Sequence, residues 1–326
     1  MEQIGKDDSL MLDFIQSAAF PNFFGMAMPL VKYGLPIHPV QLDNVRRFAG
    51  YLDDHKCLIL SYEYIKPEAP DVNAALVSWI REGKTLIYIG DGSDPFHGID
   101  SWWKKSGYEN PAEHLFELAG IGRNPEEGTY QTGRGRIVVW KTAPARICLT
   151  KELADEYRKL VKETLAGQEI EWEYRNDLTL HRGPYVISSV MAESVSEEPK
   201  GFHGLYADMM ENDYRIVHEK TVKPDEVALL FDFDKIGEES FRVVGTSARV
   251  LEAELAEEGL AVRLKTANKI KAFTRIRLPR PVKNVRAKDE DGAAVRVESE
   301  WDEETRTLLI SYDSFAKAVT VRADWE

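Results

Sequence analysis

Thr85-Leu86-Ile87-Tyr88-Ile89 runs directly into Gly90-Asp91-Gly92-Ser93-Asp94-Pro95-Phe96-His97-Gly98. The first five residues form a continuous apolar run, as expected of a strand covered on both faces. The next nine are a turn rich in glycine and carboxylate. In open α/β sheets, ligands sit just beyond the carboxyl ends of the strands. Asp91, Asp94, His97 and Asp100 can make a site there, and Trp102 and Trp103 follow within one short segment. Carboxylates, an imidazole and indoles suit a polar ligand such as a sugar, or contacts to a neighbouring domain. The stretch has the spacing of no nucleophile elbow, phosphate loop or zinc site. Its oxygen ligands match no calcium loop. No metal and no cofactor is expected, and no catalytic residue is assigned.

On either side of this stretch, strands alternate with helices. Residues 22–33 carry apolar side chains at helical spacing, with Pro29 inside and Gly34 as the stop. A short strand is expected at 35–40 and a stronger one at 56–62. Asp71 is a candidate cap for a helix over 72–82, Asn110-Pro111 opens another to Ala119, and Thr150 caps a third over 151–165. Gly135 to Trp140 reads as a further strand. This rhythm predicts an α/β fold with an open, mostly parallel, flavodoxin-like sheet over residues 1–170. Residues 1–8 are too polar and short for the expected leading strand, so the domain is read as lacking it.

After Gly167 the pattern changes. Strands are expected at 185–191, 227–233, 241–251, 260–264, 272–278, 295–297, 307–311 and 318–322. Many alternate apolar and polar residues, and turn-forming runs such as Asp289-Glu290-Asp291-Gly292 separate them. An all-β sandwich is predicted over residues 171–326.

Composition narrows the function. The 326 residues carry 42 Lys and Arg against 55 Asp and Glu, a formal charge of -13. Binding a phosphate backbone needs a clustered basic excess, so nucleic acid is not an expected partner. The two cysteines, Cys57 and Cys148, make no disulfide framework. No apolar span suits a membrane helix and no signal peptide is evident, so a cytoplasmic protein without a membrane partner is expected.

Three stretches resemble a known arrangement. They are Phe23-Phe24-Gly25-Met26-Ala27-Met28-Pro29-Leu30-Val31-Lys32-Tyr33-Gly34-Leu35-Pro36, the segment from Leu58 through Tyr88, and Leu180-His181-Arg182-Gly183-Pro184-Tyr185-Val186-Ile187 with Leu229-Leu230-Phe231-Asp232. Together they resemble the region that follows the catalytic barrel in multidomain glycoside hydrolases. The first part is similar to the glutamine-amidotransferase-like trimerisation domain of family 42 β-galactosidases, and the second to their C-terminal β-domain. The amidotransferase fold places a nucleophilic cysteine after a central strand, but this chain has Gly90-Asp91-Gly92-Ser93 there. The resemblance therefore implies a degenerate domain without that chemistry. It also implies a catalytic barrel or partner subunit elsewhere, and an oligomer, with the trimer as the family's form.

Three functions follow as expectations. The leading one is a non-catalytic accessory and assembly portion of a β-galactosidase-like glycoside hydrolase, inactive alone, with its active site on a barrel absent from this chain. The alternative is a free-standing carbohydrate-binding or glycosidic-bond-hydrolysing protein, with its site near Asp91 to Trp103. A pure scaffold is the third.

Overall fold

The computed structural model describes residues 19–63, 65–237 and 241–326. The expected gap left by a missing leading strand, argued from residues 1–8, lies outside the described residues. The chain divides into two compact units, Met1–Arg175 and Asn176–Glu326.

In the first unit, helix α1 (Ala19–Val31) precedes strand β1 (Cys57–Leu60), helix α2 (Pro70–Arg81) and strand β2 (Thr85–Ile89). Short helix α3 (Trp102–Lys105), helix α4 (Pro111–Ala119), strands β3 (Gly128–Thr132) and β4 (Gly135–Trp140), and helix α5 (Lys151–Ala166) follow. Local chemistry sets several of these ends. Asn110 accepts from the backbone N–H groups of Ala112 and Glu113, and Pro111 takes the first helical position. Gly120, at φ 82°, closes the same helix. Thr150 caps α5 by accepting from Leu153 N–H. Asp71 is not the cap of α2, which starts one residue earlier at Pro70. Asp71 lies in its first turn and pairs with Arg46 at 3.1 Å.

The sheet order is β1-β2-β4-β3. β1 pairs in parallel with β2, β2 pairs in parallel with β4, and β3 runs antiparallel beside β4. Strand alternation splits the apolar residues between two faces. Leu86, Tyr88, Ile137 and Val139 join Leu76 and Ile80 of α2 and Leu115 and Phe116 of α4 in one core. Ile87, Ile89 and Val138 join Leu30 of α1 and Tyr157, Val161 and Leu165 of α5 in the other. Every residue of β2 is buried. Each of its isoleucines contributes about 2 kcal/mol by burial.

Cys57 opens β1. Burial pushes its thiol up to about 12, with Arg136 opposing the shift. Cys148 is exposed. Ellman's reagent at pH 8 is expected to titrate one thiol quickly. The second should react only on unfolding, since in the native chain at pH 8 about 10⁻⁴ of Cys57 is thiolate. Two fast equivalents from the native chain would contradict the raised pKa of Cys57.

Among the described residues, the second unit has three antiparallel sheets. Strands β5 (Asp177–Arg182), β6 (Tyr185–Val190), β7 (Lys200–Asp208), β8 (Ile216–Val222) and β9 (Val227–Asp232) form one, in the order β5-β6-β9-β7-β8. Strands β10 (Arg242–Thr246), β11 (Arg249–Leu255), β12 (Gly259–Lys265), β13 (Lys271–Arg277), β14 (Val282–Asp289), β15 (Ala294–Val295), β16 (Glu298–Asp302), β17 (Thr307–Asp313) and β18 (Val319–Trp325) make the other two. Their orders are β10-β13-β17-β16 and β11-β12-β18-β14-β15. Leu260, Val262 and Leu264 of β12 share a core with Ala272 and Ile276 of β13, Leu308, Ile310 and Tyr312 of β17, and Val319, Val321 and Ala323 of β18. These inward residues recur with period two, as in two sheets packed face to face.

The predicted fold class is corrected. Strand outweighs helix in the chain, and the first sheet is not an open flavodoxin-like one. Among the described residues it has four strands and ends in the antiparallel β3. The expected strand at 35–40 is unpaired. Pro36 and Pro39 remove two backbone donors there, which a sheet does not tolerate away from its edge. Nor is the second unit a single sandwich, because the sheet β5 to β9 stands as a third layer, with one apolar cluster of its own and a second shared with Val244 of β10. The expected strand at 241–251 is two strands, β10 and β11, which belong to different sheets. Among the described residues, no helix is long and apolar enough to cross a membrane.

Candidate functional site

Parallel pairing of β1 with β2 sets Leu60 opposite Tyr88, so the loops leaving both strands emerge at one edge of the sheet. Glu63 leaves β1 and the Gly90–Gly98 turn leaves β2 beside it. Glu63 is buried. Its Oε1 accepts from the backbone N–H of Gly92 at 2.8 Å, and its Oε2 from that of Asp94 at 3.0 Å. One carboxylate from the first loop thus braces the second. Gly90 leaves room for this close approach, since a Cβ there would lie 3.0 Å from both Glu63 Oε1 and the Tyr88 hydroxyl and would press on both side chains. Burial, reinforced by the charge of Glu63, pushes the Tyr88 hydroxyl well up.

Asp94 caps the short 3-10 turn Pro95–Gly98, its Oδ1 accepting from Phe96 N–H at 2.9 Å. Its other oxygen pairs with Lys66, and both side chains are buried. His97 is only 8% exposed. Its Nε2 lies 3.4 Å from Glu63 Oε2. Among the described residues, neither ring nitrogen of His97 makes a hydrogen bond. Its backbone carbonyl accepts from Trp103 Nε1 at 2.9 Å, which locks the turn to α3. A cavity of about 360 Å³, lined by Lys66, Phe96, Ile99 and Trp103, borders this cluster.

Of the six residues singled out in the sequence, the structure brings Asp94, His97 and Trp103 together. Asp91 is exposed and turns back to accept from Ser93 N–H and Oγ. Asp100 is exposed beside Lys105 at 3.7 Å. Trp102 donates to the Pro67 carbonyl at 2.9 Å and stands edge-on to His114 at 5.1 Å. His114 in turn sits 3.2 Å from Asn73 Nδ2, and burial lowers its pKa against the pull of Glu117. Trp103 is buried, so the exposed ring at the cavity is that of Phe96.

Glu63 and Lys66 belong to this cluster but are not among the six residues singled out in the sequence. In the structure Glu68 belongs elsewhere, paired at the surface with Arg46 at 3.0 Å. The usable signal was positional: charged residues just after two parallel neighbouring strands arrive side by side. A second cavity of about 400 Å³ lies in the second unit. Lys271 and Glu298 in its lining pair with each other at 2.7 Å.

No family model and no curated protein matches the chain. Among solved structures, it is similar to a mutant of the Flavobacterium johnsoniae GH31 dextranase complexed with isomaltotriose. The match has a TM-score of 0.23 and 9% identity, and covers 65% of this chain and 37% of the dextranase. The chain thus spans well under half the length of that enzyme, and a likeness this slight carries no argument about fold or activity.

Proposed function

We propose that the chain is a non-catalytic accessory and assembly portion of a glycoside-hydrolase-like protein. One observation carries the non-catalytic half. The two carboxylates at the strand-end site are committed to building it, Glu63 to two backbone amides and Asp94 to an amide and the Lys66 ammonium. Glycoside hydrolysis by paired carboxylates needs one to protonate the leaving oxygen and the other to attack, or to activate water. A general acid or base must reach the reacting atom directly or through one water. Glu63, buried beneath the loop it braces, is badly placed for that work. Asp91 and Asp100 do reach solvent, but each is engaged locally with Ser93 or Lys105.

The carbohydrate half rests on the sequence resemblance set out above. Phe96 and Ile99 are consistent with it. They are 46% and 48% exposed at the rim of the cavity, an apolar surface of the kind that packs on a sugar ring.

The purified chain is expected to show no turnover of aryl glycosides above buffer. Activity that follows the protein and disappears in Asp91→Ala or Asp94→Ala would refute the non-catalytic reading. Light scattering over a range of concentrations reads the assembly half, for which self-association is expected. A particle that stays monomeric, and binds no barrel domain supplied in trans, would count against it.

A further inference from the structure

We infer that Glu63, Asp94 and His97 form a binding site for a divalent transition-metal cation, with Zn²⁺ the best match. This does not depend on the accessory reading. The donor atoms of the three side chains all lie within 4.8 Å of one another. Two buried carboxylates alone would be weak grounds, because such groups are often structural. The imidazole is the independent observation. A side chain nine-tenths buried, with both ring nitrogens lacking a hydrogen bond, is costly, and an ion bound at Nε2 would satisfy one of the two. Its Nε2 lies 3.4 Å from Glu63 Oε2, and a ring nitrogen lies 4.8 Å or less from an Asp94 oxygen.

The spacing fits the ion. Zinc bonds to imidazole nitrogen and carboxylate oxygen at about 2.0–2.1 Å. Two ligands on a tetrahedron with such arms stand about 3.4 Å apart. Glu63 Oε2 and His97 Nε2 are separated by 3.4 Å. One imidazole with two carboxylates is a borderline donor set, suited to Zn²⁺ over the hard, all-oxygen cations. The backbone amides of Gly92 and Asp94 hold Glu63 in place, as outer-shell hydrogen bonds hold the carboxylate ligands of metal sites. Three protein ligands leave one tetrahedral position for water or a ligand oxygen. The Lys66 ammonium on Asp94 is the local competitor, since its positive charge opposes the metal's.

The full chain, stripped with EDTA and titrated calorimetrically with ZnCl₂, tests the site. One Zn²⁺ per chain is expected, with a Kd in the micromolar range or tighter. At about 100 times Kd, the ion should raise the Tm of the first unit by about 5 °C. His97→Ala should weaken binding by at least about 100-fold. The closer mimic His97→Gln, checked by circular dichroism for a native fold, should do the same. Lys66→Met should tighten binding by about tenfold or more, a gain that loss of a merely structural lysine would not produce. Absence of binding to the wild-type chain would overturn the proposal. So would binding that survives both His97 substitutions, which would place the ion elsewhere.

Discussion

Gly135→Ala is expected to destabilise the first unit by about 4 kcal/mol, the largest effect of any glycine substitution in its sheet. Gly135 is the first residue of β4. A Cβ built on it would lie 2.0 Å from the Ile80 carbonyl oxygen and 2.2 Å from that of Lys84. Neither atom can rotate away as a side chain would. The Ile80 carbonyl accepts from Gly83 and Lys84 N–H as α2 ends, and the Lys84 carbonyl accepts from Arg136 N–H as β4 begins. Relieving the clash therefore breaks hydrogen bonds at a helix end and at a strand start together. Gly292→Ala is the control. Gly292 has φ 85° and nothing within 4 Å of its would-be Cβ, so only the left-handed backbone penalty applies, about 1 kcal/mol. Urea denaturation of the two variants separates these cases. A Gly135→Ala protein within 1 kcal/mol of wild type would mean that β4 does not press against the end of α2 as described.

That close approach was invisible in the sequence, where Gly135 merely opened a strand. What could be read locally was read well. β2 and β4 are continuous apolar runs, and α4 announces itself through Asn110-Pro111 at one end and Gly120 at the other. Failures came where the pattern is interrupted. β7 has a register shift between His203 and Tyr206, and β14 one between Lys283 and Arg286, with Gly204 and Asn284 at positive φ. A bulge breaks the alternation that betrays a strand. β3, Gly128-Thr129-Tyr130-Gln131-Thr132, is mostly exposed and polar, so nothing apolar marked it. Without β3, the sheet reads as purely parallel. Without β5, β7 and β8, the third layer of the second unit vanishes into its sandwich.

The candidate site was half legible for a related reason. Asp94 and His97 lie on one short turn, so sequence proximity found them. Glu63 and Lys66 reach the same place from another strand, and only the parallel β1–β2 pairing connects the two loops. Asp91 and Asp100 share the segment, but they face solvent. Proximity along the chain placed four polar residues in one group, and folding kept two of them and brought in two others.

The exchange gives Glu63 the second large effect. Glu63→Ala is expected to cost about 3 kcal/mol and to abolish Zn²⁺ binding. The carboxylate is the acceptor for the part-buried amides of Gly92 and Asp94, and each donor left without a partner costs about 1 kcal/mol or more. The methyl group also leaves a gap beneath the turn, which the Gly90 backbone cannot fill. Glu63→Gln separates the two contributions. Its amide oxygen still serves one backbone N–H, while its NH₂ group opposes the other, so about half the stability is recovered. Zinc binding should nevertheless stay weak, because a neutral amide is a poor ligand for the ion. Glu68→Ala, five residues on, removes only an exposed partner of Arg46 and should leave stability unchanged within error. Thermal and urea unfolding of the three variants, each with and without ZnCl₂, tests this ordering. Should Glu63→Ala be as stable as Glu68→Ala, the carboxylate would not be the brace between the two strand-end loops, and the metal site built on it would fall as well.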